Sequence, residues 1–224
     1  MARHYNYRYE VMSEEALVQQ VVNLVAKGYR YYTFGRVKRS KSVEHIDRVL
    51  LAKFGIAKSP SARARAKARG EANVMYLRCA DFWVMLATKG RHVWKDEHVG
   101  ADGKPQYFDF REKALEIGRY AVSSREDGMC RGRYRVRVVL NREAYKELKA
   151  LYLERAKHWQ VERIGEALRR DVRGLMAYRP VRVQLIEIVR CINKTRKKTR
   201  WERVPYSALE VPSVVRSLKV FSEL

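Results

Sequence analysis

The 224-residue chain is poor in acidic residues, in cysteine and in long apolar runs. Its longest uninterrupted hydrophobic segment, Phe82 to Ala87, falls far short of the roughly 20 residues that cross a bilayer. The polar opening MARHYNYRYE contains no apolar signal segment, so a soluble, cytoplasmic protein with no membrane partner is expected. Cys79, Cys130 and Cys191 are odd in number and share no paired spacing, which argues against a disulfide framework and against a thiolate zinc site. No Gly-rich phosphate loop, GxSxG elbow or HExxH pair occurs, so ATP, dinucleotide, serine-nucleophile and zinc-protease chemistries have no motif to stand on. No cofactor is therefore expected.

What the chain has in excess is positive charge: 48 Lys+Arg against 25 Asp+Glu, a formal net charge of +23. Hydrophobic residues make up 46% of the chain, enough for a folded core, so a disordered basic tail is excluded. The charge is unevenly placed, with +10 in residues 1–70, −1 in residues 71–130 and +14 in residues 131–224. Two basic flanks around a neutral centre suggest a bipartite surface for a polyanion, of which nucleic acid is the commonest.

Periodicity gives the organisation. Tyr5 to Val11 alternates like a half-buried strand, Ser13 caps a helical pattern that stops at Gly28, and Tyr29 to Val37 reads as a second strand, so the chain opens as a β-α-β unit. Ser42 caps a helix with the stripe Val43, Ile46, Val49, Leu50 and Phe54, expected to cross back over the sheet. Val74 to Cys79 and Phe82 to Ala87 are apolar on both faces, as central strands are. Asp102-Gly103 marks a hairpin between Arg91 to Lys95 and Gln106 to Phe110. Asp127-Gly128 marks another between Ile117 to Ser123 and Tyr134 to Leu140. Amphipathic helices follow from Asn141, from Val161 and from Pro180. The fold class is α+β, with a mixed or antiparallel sheet and a helical C-terminal part. The expected division is a sheet domain over 1–140 with a basic loop at 58–70, a helical basic region over 141–205, and an irregular tail over 206–224.

Three basic elements point to phosphate. In the first, Arg63, Arg65, Lys67 and Arg69 alternate with alanine between Pro60 and Gly70; with no large apolar anchor, the segment is expected to be loosely ordered until it meets a partner. The second is a strand on which Arg133, Arg135 and Arg137 face outward while Tyr134, Val136 and Val138 face the core. Alternate side chains there lie roughly 6 to 7 Å apart, comparable with the phosphate spacing of a nucleic-acid strand. The third is the end of the last helix, where Lys194, Arg196, Lys197, Lys198 and Arg200 cluster and Arg182 and Arg190 precede them. Tyr29, Tyr31 and Tyr32 are candidates for stacking on bases.

These observations read as a nucleic-acid-binding protein that grips the phosphate backbone of RNA or of single-stranded or structured DNA. Two alternatives stand beside it. One is a nuclease or strand-transfer enzyme of a mobile element or of RNA processing, with a tyrosine nucleophile or the weak catalytic candidates His92, Glu97, His98 and Asp109, using a divalent metal. The other is an architectural subunit of a larger ribonucleoprotein.

Overall fold

A computed structural model describes residues 7–100, 103–210, 215 and 217–221 of the chain. The fold is α+β. It divides into two compact units, one of Met1–Leu115, Val122–Val136 and Leu218–Leu224, the other of Glu116–Ala121 and Arg137–Ser217.

In the first unit, helix α1 (Glu14–Ala26) begins where the Ser13 hydroxyl accepts the Ala16 N–H at 3.1 Å, and it buries Leu17, Val18, Val21 and Leu24 on one face. It stops at Gly28, where φ is +97° and the N–H groups of Gly28 and Tyr29 donate back to the carbonyls of Val25 and Leu24. Strands β1 (Tyr31–Arg36), β2 (Val74–Cys79), β3 (Phe82–Ala87) and β4 (Phe108–Asp109) form a sheet in the order β2-β3-β1-β4, antiparallel throughout. The apolar runs of β2 and β3 are largely buried, but of the two expected central strands only β3 is central; β2 ends the strand order, and the bridge of Glu10 to Arg78 lies along it.

Helix α2 (Val43–Lys53) docks only in part by the expected apolar stripe. Its one buried side chain is Asp47, which accepts the Tyr76 hydroxyl at 2.5 Å and the Arg78 Nε at 3.0 Å. Val43, Ile46 and Leu50 are half-buried, Val49 is exposed and Phe54, just past the end of the helix, is buried, so a buried ion pair with a tyrosine hydroxyl adds to a partial apolar anchor. The basic segment at 58–70 is likewise a helix rather than a loop: α3 (Pro60–Ala68) carries Ser59 as its cap and Pro60 in its first turn. A small residue docks it, since Ala66 is 1% exposed, and the Asn73 amide donates to the Arg63 carbonyl at 3.0 Å.

Two expected strands differ. Tyr5 and Asn6 lie outside the described residues; Tyr7 to Val11 keep the alternation of buried and exposed positions, but only Glu10 and Val11 make bridges, Glu10 in parallel with Arg78. Asp102 also lies outside the described residues. The arm expected at Arg91 to Lys95 contains a short helix, α4 (Val93–Glu97), because His92 Nδ1 accepts the Trp94 N–H at 3.0 Å while the indole is fully buried. Its expected partner, β4, pairs with β1 instead.

Strands β5 (Leu115–Ile117), β6 (Tyr120–Asp127) and β7 (Cys130–Leu140) form a second sheet in the order β5-β6-β7, and the division between the units cuts across it. The hairpin expected at Asp127-Gly128 is present, with Gly128 and Met129 in its turn.

The second unit holds α5 (Arg142–Arg155), α6 (Val161–Val172), α7 (Arg179–Lys198) and a 3-10 turn at Tyr206–Leu209. Asn141 caps α5, its Oδ1 accepting the Ala144 N–H at 2.8 Å. The Gln184 amide bonds both the N–H and the carbonyl of Leu140, fixing α7 to the end of β7. The expected stripes are buried as Ile164, Leu168 and Val172 on α6 and as Leu185, Ile188, Val189 and Ile192 on α7. Tyr152 donates to Asp171 at 2.8 Å between α5 and α6. Residues 211–214, 216 and 222–224 of the expected tail lie outside the described residues. Among the described residues, no helix is long and apolar enough to cross a membrane.

Candidate nucleic-acid interface

The end of α7 is the best-built basic surface. Arg190, Lys194 and Lys197 recur at i, i+4 and i+7 and so share one helix face, about 6 Å apart along the axis for each four-residue step. The neighbouring face carries Asn193 and Arg196, which are buried. Beyond Thr199 the chain reverses. The N–H groups of Arg200 and Trp201 donate to the carbonyls of Lys197 and Arg196, the same closure that ends α1 at Gly28. At Gly28 the left-handed residue is glycine; here it is Arg200, with φ of +56°.

Two buried side chains hold the returning strand. Asn193 Nδ2 donates to the Val204 carbonyl at 2.9 Å and its Oδ1 accepts the Val204 N–H at 2.8 Å. The Arg196 guanidinium donates to the carbonyls of Glu202 and of Trp159, the latter at 2.7 Å, and lies 5.4 Å from the centre of the Trp201 ring. Burial lowers the Arg196 pKa from its usual value, and the charges of Glu202 and Glu162 counter this.

The result is a cleft of about 650 Å³ lined by Arg190, Asn193, Lys194, Lys197, Arg200, Trp201, Arg203 and Tyr206. Five of these eight are cationic and none is acidic. Among the described residues, Lys194, Lys197, Arg200 and Arg203 have no ion-pair partner, while Arg190 pairs with Glu187 at 3.3 Å.

Most of the third predicted element, Arg190, Lys194, Lys197 and Arg200, thus lines one cleft, and Lys198 is exposed but does not line it. Arg196 is a correction. At 0% exposure, with Nε and Nη1 given to main-chain carbonyls, it has no exposed face for a phosphate. Trp201, Arg203 and Tyr206 escape a reading by periodicity because no helical or strand period runs beyond Thr199. The interleaved basic and aromatic residues of Trp201 to Tyr206 are the signal that could have found them.

The first unit has a basic cleft of its own, about 430 Å³, whose lining includes Lys27, Arg30, Lys67, Lys89, Arg111 and Tyr134 and again no carboxylate. Arg30 is neutralised by Asp109, and the Arg111 guanidinium carbon lies over the Tyr134 ring, 3.5 Å from its centre. Of the α3 cations, Arg65, Lys67 and Arg69 are exposed, with Arg69 paired to Glu71; Arg63 lies over the Tyr7 ring at 5.5 Å. On β7, Arg133, Arg135 and Arg137 are all exposed, as expected, and Arg135 pairs with Asp127 at 2.7 Å. The face opposite them grades from Val138, buried, through Val136, half-buried, to Tyr134, exposed, so only the base of the strand shows the expected core side.

Of the predicted stacking tyrosines, only Tyr31 keeps part of its surface exposed. Tyr29 and Tyr32 are buried, and Tyr31 meets Tyr107 edge-on with the Lys95 ammonium 4.4 Å from its ring. The exposed ring on β1 is Phe34.

The candidate catalytic residues each have a separate structural role. His92 caps α4, and burial followed by the charge of Lys58 lowers its pKa. His98 Nδ1 sits 2.6 Å from the Trp94 carbonyl, Glu97 pairs with Lys53, and Asp109 binds Arg30 and accepts the Arg111 N–H at 2.9 Å. Among the described residues, no three His, Cys, Asp or Glu side chains gather as a metal site. Comparison of the chain with known family models, with curated proteins and with solved structures finds no match.

Proposed function

We propose that the protein binds nucleic acid, RNA or unpaired or structured DNA, by its phosphate backbone. The carrying observation is the C-terminal cleft, in which five cations converge without a carboxylate among the lining residues. Like charges in one depression repel each other, and a polyanion relieves that repulsion while releasing its own condensed counterions. The guanidinium groups of Arg190, Arg200 and Arg203 suit phosphate geometrically, and Lys194 and Lys197 add point charges on one helix face. The acid-free cleft of the first unit and the exposed arginines of β7 supply further positive surface in the same chain. Three unpaired cysteines fit a reducing compartment, the cytoplasm.

Replacing Lys194, Lys197 and Arg203 together by alanine tests this reading. All three are exposed, so the melting temperature should hold while oligonucleotide affinity falls at least tenfold at moderate salt. Unchanged affinity for both RNA and DNA would remove the cleft from the binding surface.

A further inference from the structure

We propose that the C-terminal cleft takes unpaired nucleotides, with the rings of Trp201 and Tyr206 as the surfaces on which bases stack. The inference rests on the reading of this cleft as a nucleic-acid site and narrows it to one class of strand. A site for duplex backbone needs donors and charge only, because the bases of a duplex are stacked inside it. Aromatic rings gain nothing from a phosphate. Yet two of the eight lining residues are aromatic, and Tyr206 is 46% exposed although its neighbours Ala208 and Leu209 are buried.

The rings are also held in place before any ligand arrives. Trp201 rests beside the Arg196 guanidinium, which is itself fixed by the carbonyls of Glu202 and Trp159. The segment between the two rings is pinned by the Asn193 amide at Val204. Tyr206 lines the cleft together with Arg190, whose guanidinium Glu187 steadies. Little ordering is left to be done on binding, which is what makes a rigid ring an effective platform. Arg200 occupies a left-handed backbone position where glycine is preferred, and a strained residue of this kind at a cleft is a mark of a functional constraint. The cleft therefore combines cations that track a backbone with rings that accept any base, the two components of sequence-tolerant single-strand binding.

The test uses the full chain with a mixed-sequence strand of about twelve nucleotides, within the range of single-strand site sizes, and the duplex it forms with its complement. The wild type should bind the strand more tightly than the duplex. Trp201→Leu and Tyr206→Leu should each weaken strand binding roughly tenfold, leave duplex binding unchanged and leave its salt dependence unchanged. Trp201→Phe, which keeps a ring, should bind like the wild type. If Trp201→Leu lowers the melting temperature, the exposed Tyr206 variant decides. Equal affinity for strand and duplex, or a Tyr206→Leu protein that binds the strand normally, overturns the inference and leaves the broader reading standing. Absence of binding to either nucleic acid overturns both. Displacement of the strand by polyglutamate of equal charge also overturns it, since the cleft would then be an acceptor of anions in general.

Discussion

The guanidinium of Arg196 lies 5.4 Å from the centre of the Trp201 ring, and the Arg196 carbonyl accepts the Trp201 N–H at 3.0 Å. One residue thus ends the last helix, supports the aromatic wall of the cleft and, through Glu202 and Trp159, ties down the chain on either side. Main-chain carbonyls take the Arg196 Nε and Nη1 in place of a carboxylate, while Nη2 is buried without a partner among the described residues, so burial lowers the pKa of this guanidinium. The charge of Arg196 is structural, and the cations free for a partner are its neighbours on the next face of α7.

Arg200 should show a conflict between stability and binding. Its φ of +56° costs a residue with a Cβ roughly 1 kcal/mol relative to glycine, as at other helix ends closed in this way. Arg200→Gly is therefore expected to raise stability by up to about 1 kcal/mol in denaturant unfolding while weakening oligonucleotide affinity. A variant that is both less stable and equally tight in binding would show that neither strain nor charge acts as described.

Much of this architecture is legible in the sequence, and the failures have specific causes. The stripes of α6 and α7, the cap at Asn141 and the turn at Asp127-Gly128 follow from local patterns that tertiary packing reinforces. Arg91 to Lys95 reads as a hairpin arm because a histidine cap leaves no pattern, and the burial of Trp94 selects the helix. Helix α3 shows the opposite limit. An alanine-rich segment has no visible anchor, yet a methyl group suffices where the neighbouring backbone comes close. At the C-terminal cleft the cations of α7 are evident by count, but burial decides which of them can serve, and the turn that adds Trp201 and Tyr206 depends on the non-local pairing of Asn193 with Val204.

Helix α3 separates docking from charge within one short element. Arg65→Ala with Lys67→Ala should change stability by no more than about 0.5 kcal/mol per site, because both side chains are exposed. Ala66→Glu should instead destabilise the first unit by several kcal/mol, since it forces a carboxylate into a closed position, on the order of what burying an unpaired charge costs. Thermal melting of the two proteins side by side checks both. Equal melting temperatures would mean that the helix is not packed.

His92 should make the first unit sensitive to mild acid. Burial, then Lys58, lowers its pKa when folded, so just below the ordinary value of about 6.5 the unfolded chain binds more protons than the folded one. Its contribution to stability is fully present above pH 6.5 and is lost as pH falls through the folded value. His92→Asn keeps a capping side chain without an imidazole. Denaturant midpoints of the two proteins should run parallel above neutrality, and the wild type should fall away faster as pH drops below about 6.5. Parallel curves throughout would contradict this role for His92.

If phosphate neutralisation by the basic clefts holds the partner, affinity for a short single strand must fall steeply with salt concentration. The logarithm of the association constant should fall linearly with the logarithm of salt, by about 0.7 for each phosphate neutralised, so the five cations lining the C-terminal cleft set an expected slope near −3 to −4 or steeper. Removing Lys194 and Lys197 should make that slope shallower by roughly 0.7 for each phosphate that is no longer neutralised. A slope near zero, or one that the double variant leaves unchanged, would show that these cations do not neutralise phosphate.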